Sequence, residues 1–139
     1  MAMTMHVDVV SAEKQVYSGP VTMLIAPAEM GEVGIAPRHA PMVTRIKPGE
    51  VKVELSDGSH ESFFVSGGIL EVQKSVVTIL TDTAIRADDI DEAEAIAAKE
   101  RAEDALKDKH DSIDLAQVQR ELAEASARLS LVQKLKRNI

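Results

Sequence analysis

All seven glycines and all five prolines of this 139-residue chain lie within residues 1–68, whereas the stretch from Ala87 to Ile139 has neither and holds 11 alanines. Glycine and proline supply the special backbone angles of turns, which a meandering sheet cannot do without. Ala, Glu, Lys, Arg and Leu with no breaker among them are strong helix formers. The distribution therefore predicts an α+β chain of two parts. Residues 1–86 form an antiparallel β-sandwich or flattened barrel, and residues 87–139 form an antiparallel two-helix hairpin. A chain of this length suits one well-packed body with an appendage better than two domains with large separate cores.

Several function classes are disfavoured at once. There is no cysteine, which removes disulfides, thiolate zinc sites and thiol nucleophiles together. No run approaches the ~20 apolar residues that span a bilayer, and Met1 to Val10 lack a basic region followed by an apolar one. The expectation is a soluble protein working on the cytoplasmic side, with no direct membrane insertion. A net charge of −7, two Phe, one Tyr and no Trp disfavour nucleic acid, which needs a basic stripe and stacking rings. The charge is uneven: residues 87–124 carry 13 acids against 5 bases, while 125–139 carry Arg128, Lys134, Lys136 and Arg137 with no acid.

Alternation of apolar and polar residues marks half-buried strands at Val7–Val9, Val21–Ile25, Val51–Leu55 and Val76–Leu80. Asp57-Gly58, set between two such runs, is a hairpin signal because Gly tolerates a positive φ. About eight to ten short strands are expected, with no helical period between them to make βαβ units.

The most idiosyncratic segment is Gly31-Glu32-Val33-Gly34-Ile35-Ala36-Pro37-Arg38-His39-Ala40-Pro41. It lacks GxGxxG spacing and a following Lys-Ser/Thr, which disfavours a phosphate loop. Two readings stay open: two turns flanking a short strand, or an interaction loop mounted on a rigid sheet. Ser66-Gly67-Gly68 lacks the GxSxG form of a nucleophile elbow, so a tight bend or close backbone approach is expected there. The four histidines, His6, His39, His60 and His110, have no metal-ligand spacing. Asp88, Asp89, Asp91 and Glu92 lack the glycine and terminal Glu of a calcium loop and read as a helix start, with Asp89 and Glu92 spaced as a capping box.

The first helix is expected from Ile90 to about Lys107. A polar break, Asp108 to Ser112, follows, and a second helix resumes by Asp114 or Leu115, with Asp114-x-x-Gln117 as its cap. Leu115, Val118, Leu122, Ala125, Leu129 and Val132 then make one apolar stripe. It suits either packing within the chain or a partner. The first helix offers Ala93, Ala97, Ala98, Ala102 and Ala105, which permit close approach but bury little surface. Such a hairpin is detachable: a partner that prefers the open form shifts it. The basic end, free of acids, points to an acidic partner.

These residues resemble the bacterial epsilon-subunit family of the F-type ATP synthase over the whole chain. The likeness rests on the start from Met3 to Ser11, the Gly31 to Pro41 segment, Ser66-Gly67-Gly68-Ile69-Leu70-Glu71-Val72, and Thr81-Asp82-Thr83-Ala84-Ile85-Arg86 leading into the hairpin, in the family's order. The resemblance implies a non-catalytic central-stalk component with no metal or catalytic group, peripheral at the cytoplasmic face of the bacterial inner membrane. It implies a sandwich that joins the gamma subunit to the ring of c subunits, contributing to ATP synthesis driven by a proton gradient. Glu32, Arg38 and His39 would lie near the rotor interface. The hairpin would fold on the sandwich or extend into the catalytic head and block ATP hydrolysis. There Arg128, Lys134, Lys136 and Arg137 would meet the beta subunits, with alpha nearby. Some members bind ATP through an Ile/Leu-Asp-x-x-Arg-Ala motif; here Ile90, Asp91, Glu94 and Ala95 occupy it, and Glu94 replaces the Arg. An anion beside a polyphosphate repels it, so ATP binding is expected to be weak or absent and no cofactor is expected. A nucleotide-sensing hairpin and an unrelated enzyme on a β-sandwich are the competing readings; the second lacks a convergent set of titratable groups.

Overall fold

The computed structural model describes residues 3–107 and 115–137. It divides into two compact units between Ala87 and Asp88. The first holds strands β1 (Met5–Val10), β2 (Gln15–Val21), β3 (Met23–Ala28), β4 (Gly31–Ile35), β5 (Met42–Glu54), β6 (His60–Val72), β7 (Val76–Thr81) and β8 (Ala84–Arg86). After a 3-10 turn at Ala87–Asp89, the second unit holds α1 (Glu92–Lys107) and α2 (Leu115–Arg137).

The strands run in the order β2-β1-β7-β6-β5-β3-β4, with β8 on the first half of β6. Neighbours are antiparallel except β1 and β7, which pair in parallel from His6↔Val76 to Val10↔Leu80 with no crossover helix. The inward residues of the strands converge on a single core, with Ala84 of β8 packed against it. Val7, Val9, Val21, Leu24, Ile35, Val51, Val53, Phe63, Leu70 and Ile79 are all wholly buried in it. Alternation along the strands produces this, since successive side chains leave opposite faces and one face of each strand is apolar.

One strand expected from the sequence is corrected here. The run Val21–Ile25 is not one strand: Thr22 interrupts it, donating from N and Oγ1 to the Glu54 carbonyl at 2.8 and 3.1 Å. Val21 and Leu24 are both buried, three positions apart, a spacing that a continuous strand cannot place on one face. The N-terminal half of the run belongs to β2, whose Gly19-Pro20 is tolerated because β2 is an edge strand.

The Asp57-Gly58 hairpin is present. Asp57 Oδ1 accepts from Ser59 N at 2.9 Å, and Gly58 has φ 86°. At Ser66-Gly67-Gly68 the strand β6 changes partner, from β8 (Phe63–Val65) to β7 (Gly68–Val72). Gly68 has φ 142°, and a Cβ there would stand 2.0 Å from the Leu80 carbonyl oxygen. The close backbone approach expected of this pair is what the structure contains.

In the hairpin, α1 starts at Glu92 and not at Ile90, because the 3-10 turn uses Ala87–Asp89. Asp91 therefore replaces Asp89 as the cap: its Oδ1 accepts from Glu94 N at 3.2 Å. Ala95, Ala102 and Ala125 are buried. Along the α2 stripe Leu115 is 56% exposed, Val118, Leu122 and Leu129 are half-buried, and Ala125 and Val132 are buried. The polar break from Asp108 to Ser112, His110 and the Asp114 cap lie outside the described residues.

Candidate functional site

The segment from Gly31 to Pro41 is a short strand between two turns. Its first turn exposes Met30 almost completely (97%). Glu32 follows on β4, exposed and paired with Pro27. Beyond buried Ile35 the chain turns again: His39 N donates to the Ala36 carbonyl at 3.1 Å, and His39 Nδ1 donates to the Ala40 carbonyl at 2.7 Å. Arg38 lies between them with φ 69°, the left-handed region where a side chain costs energy. Three strand steps, about 10 Å, thus part Glu32 from the Arg38-His39 turn, which places them at opposite ends of β4.

Arg38 meets residues remote in sequence. A cleft of about 310 Å³ is lined by Met3, His6, Pro20, Pro37, Arg38 and Lys74 among others, and by no carboxylate. Lys74 lies in the turn from β6 to β7, closed by Gln73 N donating to the Val76 carbonyl at 2.9 Å. The His6 ring is held by Asp8 Oδ1 at 2.9 Å and Ser18 Oγ at 3.1 Å. Ser18, and after it His6, hold the Asp8 carboxyl below its usual value.

A second surface is apolar. Register pairs Arg45 with Ile69, Ile69 with Leu80, and Leu80 with Val10, so these residues form one rung on the outer face of four adjacent strands. Ile69 and Leu80 are 44% and 45% exposed, and Val43 on the next rung is 69% exposed. The available sequence signal was the doublets Ile69-Leu70 and Ile79-Leu80, which break alternation by making both faces of a strand apolar.

At the end of the sandwich Arg86 bridges three strands. It donates to the Val16 carbonyl at 2.9 Å and to Glu61 at 3.4 Å, and lies over the Phe63 ring 5.4 Å from its centre. Tyr17 meets that ring edge-on, and burial raises its phenol pKa.

In the hairpin, Ile90 is half-buried, Asp91 is the cap, and Ala95 is wholly buried. Glu94 accepts from Arg101 at 3.2 Å. The groove between the helices is lined by Glu94, Arg101, Glu121, Glu124 and Arg128 with Ala98. Lys136 pairs with Glu92, joining the end of α2 to the start of α1. Lys134 is exposed, and Arg137 is the last described residue of α2. Among the described residues no three His, Cys, Asp or Glu side chains gather as metal ligands, and no helix is long and apolar enough to cross a membrane.

Comparison with known proteins agrees with this division. Residues 4–87 match the family model "ATP synthase, Delta/Epsilon chain, beta-sandwich domain", and residues 88–133 match "ATP synthase, Delta/Epsilon chain, long alpha-helix domain". The ATP synthase epsilon chain of Nitrosococcus oceani is 60% identical over 139 residues, covering 100% of this chain and 99% of that one. That of Thioalkalivibrio sulfidiphilus is 58% identical, covering 99% of each. A chain in the Euglena gracilis mitochondrial ATP synthase (OSCP/F1/c-ring) shares the fold with a TM-score of 0.73 at 20% identity, over 97% of this chain and 81% of that one. One in the central stalk/c-ring of the Tetrahymena thermophila enzyme does so with a TM-score of 0.57 at 16% identity, over 96% of each.

Proposed function

Since the chain belongs to the ATP synthase delta/epsilon chain family, matched by both of that family's domain models, we propose that it is the epsilon subunit of a bacterial proton-driven F-type ATP synthase. It is a non-catalytic rotor component of the central stalk, peripheral at the cytoplasmic face of the inner membrane. The sandwich joins gamma to the c-ring and so couples proton flow to ATP synthesis. The hairpin restrains ATP hydrolysis when it opens toward alpha and beta.

The observation that carries this reading is the apolar rung of exposed Ile69 and Leu80 with half-buried Val10 on the sheet. A contiguous apolar patch on a folded body marks a protein interface, and gamma is the partner assigned to it. Inhibition rests on the basic end of α2. In the closed hairpin Lys136 is held by Glu92; opening releases that cation for an acidic segment of beta. A chain ending at Arg86 should fold and still bind gamma, while hydrolysis by the complex rises. Unchanged hydrolysis would count against an inhibitory hairpin and leave coupling standing.

ATP has little to hold it here. Glu94 already engages Arg101, and a polyphosphate in the groove between the helices would face Glu94, Glu121 and Glu124 against Arg101 and Arg128. Isothermal titration should find no micromolar ATP site on the isolated subunit. A micromolar affinity would refute this.

A further inference from the structure

The turn between β5 and β6 carries a chemistry that neither strand pairing nor the rotor reading uses. Asp57-Gly58 is the chain's one Asp-Gly pair, and no Asn-Gly is present. We propose that this turn is a latent isoaspartate modification site, which Ser59 and the hairpin backbone hold shut while the chain is folded.

The rearrangement begins when the Gly58 nitrogen attacks Asp57 Cγ. A C–N bond forms, a C–O bond of the carboxyl breaks, and the hydroxyl leaves as water with the nitrogen's proton, giving a five-membered succinimide. Water then adds back and opens the ring. Where it attacks the former main-chain carbonyl, the chain runs on through the side chain and gains one methylene in its backbone, with no other reactant consumed. Glycine favours the attack because it has no Cβ to hinder the nitrogen. Room is available too: Asp57, Gly58 and Ser59 are exposed, and a Cβ built on Gly58 meets nothing within 4 Å.

The folded turn opposes the reaction at both of its ends. Asp57 Oδ1 accepts from Ser59 N at 2.9 Å and from Ser59 Oγ at 2.5 Å. Bonds to the charged form favour it, and these, the hydroxyl first, hold the Asp57 carboxyl below its usual value. A carboxylate has no hydroxyl to lose. The nitrogen is engaged as well: Gly58 N donates to the Leu55 carbonyl at 3.0 Å, inside a turn closed by Leu55 N donating to the Ser59 carbonyl at 2.8 Å.

The position gives the modification its consequence. This turn sets the register of the two longest strands, through Glu54↔His60, Val53↔Glu61 and Val51↔Phe63. Val51, Val53 and Phe63 are wholly buried. A backbone longer by one methylene cannot keep both turn hydrogen bonds, so the modified chain loses the constraint that seats these side chains in the core.

The test incubates the full chain at physiological temperature and neutral pH and follows isoaspartate at residue 57 by peptide mass spectrometry with electron-transfer fragmentation. Unfolding the wild type in guanidinium chloride removes both restraints and should raise the rate at least about ten-fold, while Ser59→Ala, which removes one hydrogen bond to the carboxylate, should raise it about five-fold in the folded chain. Ser59→Thr, which keeps the hydroxyl, should match the wild type. Deuterium exchange at the Gly58 amide should be equally slow in wild type and Ser59→Ala, which separates an altered carboxyl from an opened hairpin. Equal rates in folded and unfolded wild type overturn the protection. Equal rates in wild type and Ser59→Ala, or a Ser59→Thr rate as fast as that of Ser59→Ala, overturn the part given to the hydroxyl. Acceleration in Ser59→Ala with a Gly58 amide that exchanges freely also overturns it, in favour of hairpin opening. None of these outcomes depends on the rotor reading.

Discussion

Gly68→Ala should be among the most damaging single-methyl changes available to the sandwich, and its cost can be worked from geometry. The added Cβ would stand 2.0 Å from the Leu80 carbonyl oxygen, a backbone atom that no side-chain rotation can move. Restoring ordinary contact means parting β6 from β7 by more than an ångström at Gly68↔Thr81 and Ile69↔Leu80. About two ladder hydrogen bonds at ~1 kcal/mol each are weakened. Leu70 and Ile79, both wholly buried beside the breach, lose packing worth about 1–2 kcal/mol. The φ of 142° adds about 1 kcal/mol for any side chain. The total is about 3–5 kcal/mol, a large share of a typical domain's 5–15 kcal/mol. Gly58→Ala is the control: φ is 86°, but nothing lies within 4 Å of the new atom, so only the backbone cost of about 1 kcal/mol remains. Urea denaturation followed by Tyr17 fluorescence reads the sandwich alone, because the chain's only aromatic residues are Tyr17, Phe63 and Phe64. If Gly68→Ala costs no more than Gly58→Ala, the backbone contact is not what demands glycine.

Two further predictions concern polar groups of the sandwich. Arg86→Met should destabilise it by about 1–2 kcal/mol and speed amide exchange across Ala84–Arg86, because it removes the bond to Val16, the Glu61 pair and the Phe63 contact together; Arg101→Met, in an exposed pair within α1, should change stability by less than about 0.5 kcal/mol. Asp8 has a folded pKa below the 3.8 of a free aspartate, so its stabilising effect is complete above that pH and is lost as pH falls through the lower folded value. Asp8→Asn should flatten that part of the stability curve in urea melts between about pH 2 and 6, while an unchanged acid limb would show that Asp8 contributes nothing to it.

How much was legible depended on the range of the cause. The Asp57-Gly58 turn and the glycine pair at 67 and 68 were readable because positive φ is a one-residue property. The helix limits were readable to within two residues because capping is local: Asp91 took the role expected of Asp89 once a 3-10 turn intervened. β2 was harder, since Gly19-Pro20 reads as a loop and becomes a strand only when β1 supplies a partner along an edge. The Gly31 to Pro41 segment illustrates the same limit. Its two turns and short strand were one of the readings kept open, but that β4 separates Glu32 from Arg38 follows from pairing with β3.

The sequence alone determined the division of the chain, because glycine and proline act on the residues that bear them and an uninterrupted Ala-rich stretch leaves the backbone one economical choice. It also carried the family's motifs in order. Only the tertiary structure decided that β1 lies parallel to β7, that Val10, Ile69 and Leu80 share an outer rung, and that Arg38 and Lys74 line one cleft. Those facts depend on which strands pair and in which register. Such pairing arises from burying one common core, a property of the whole chain that no short window of residues contains.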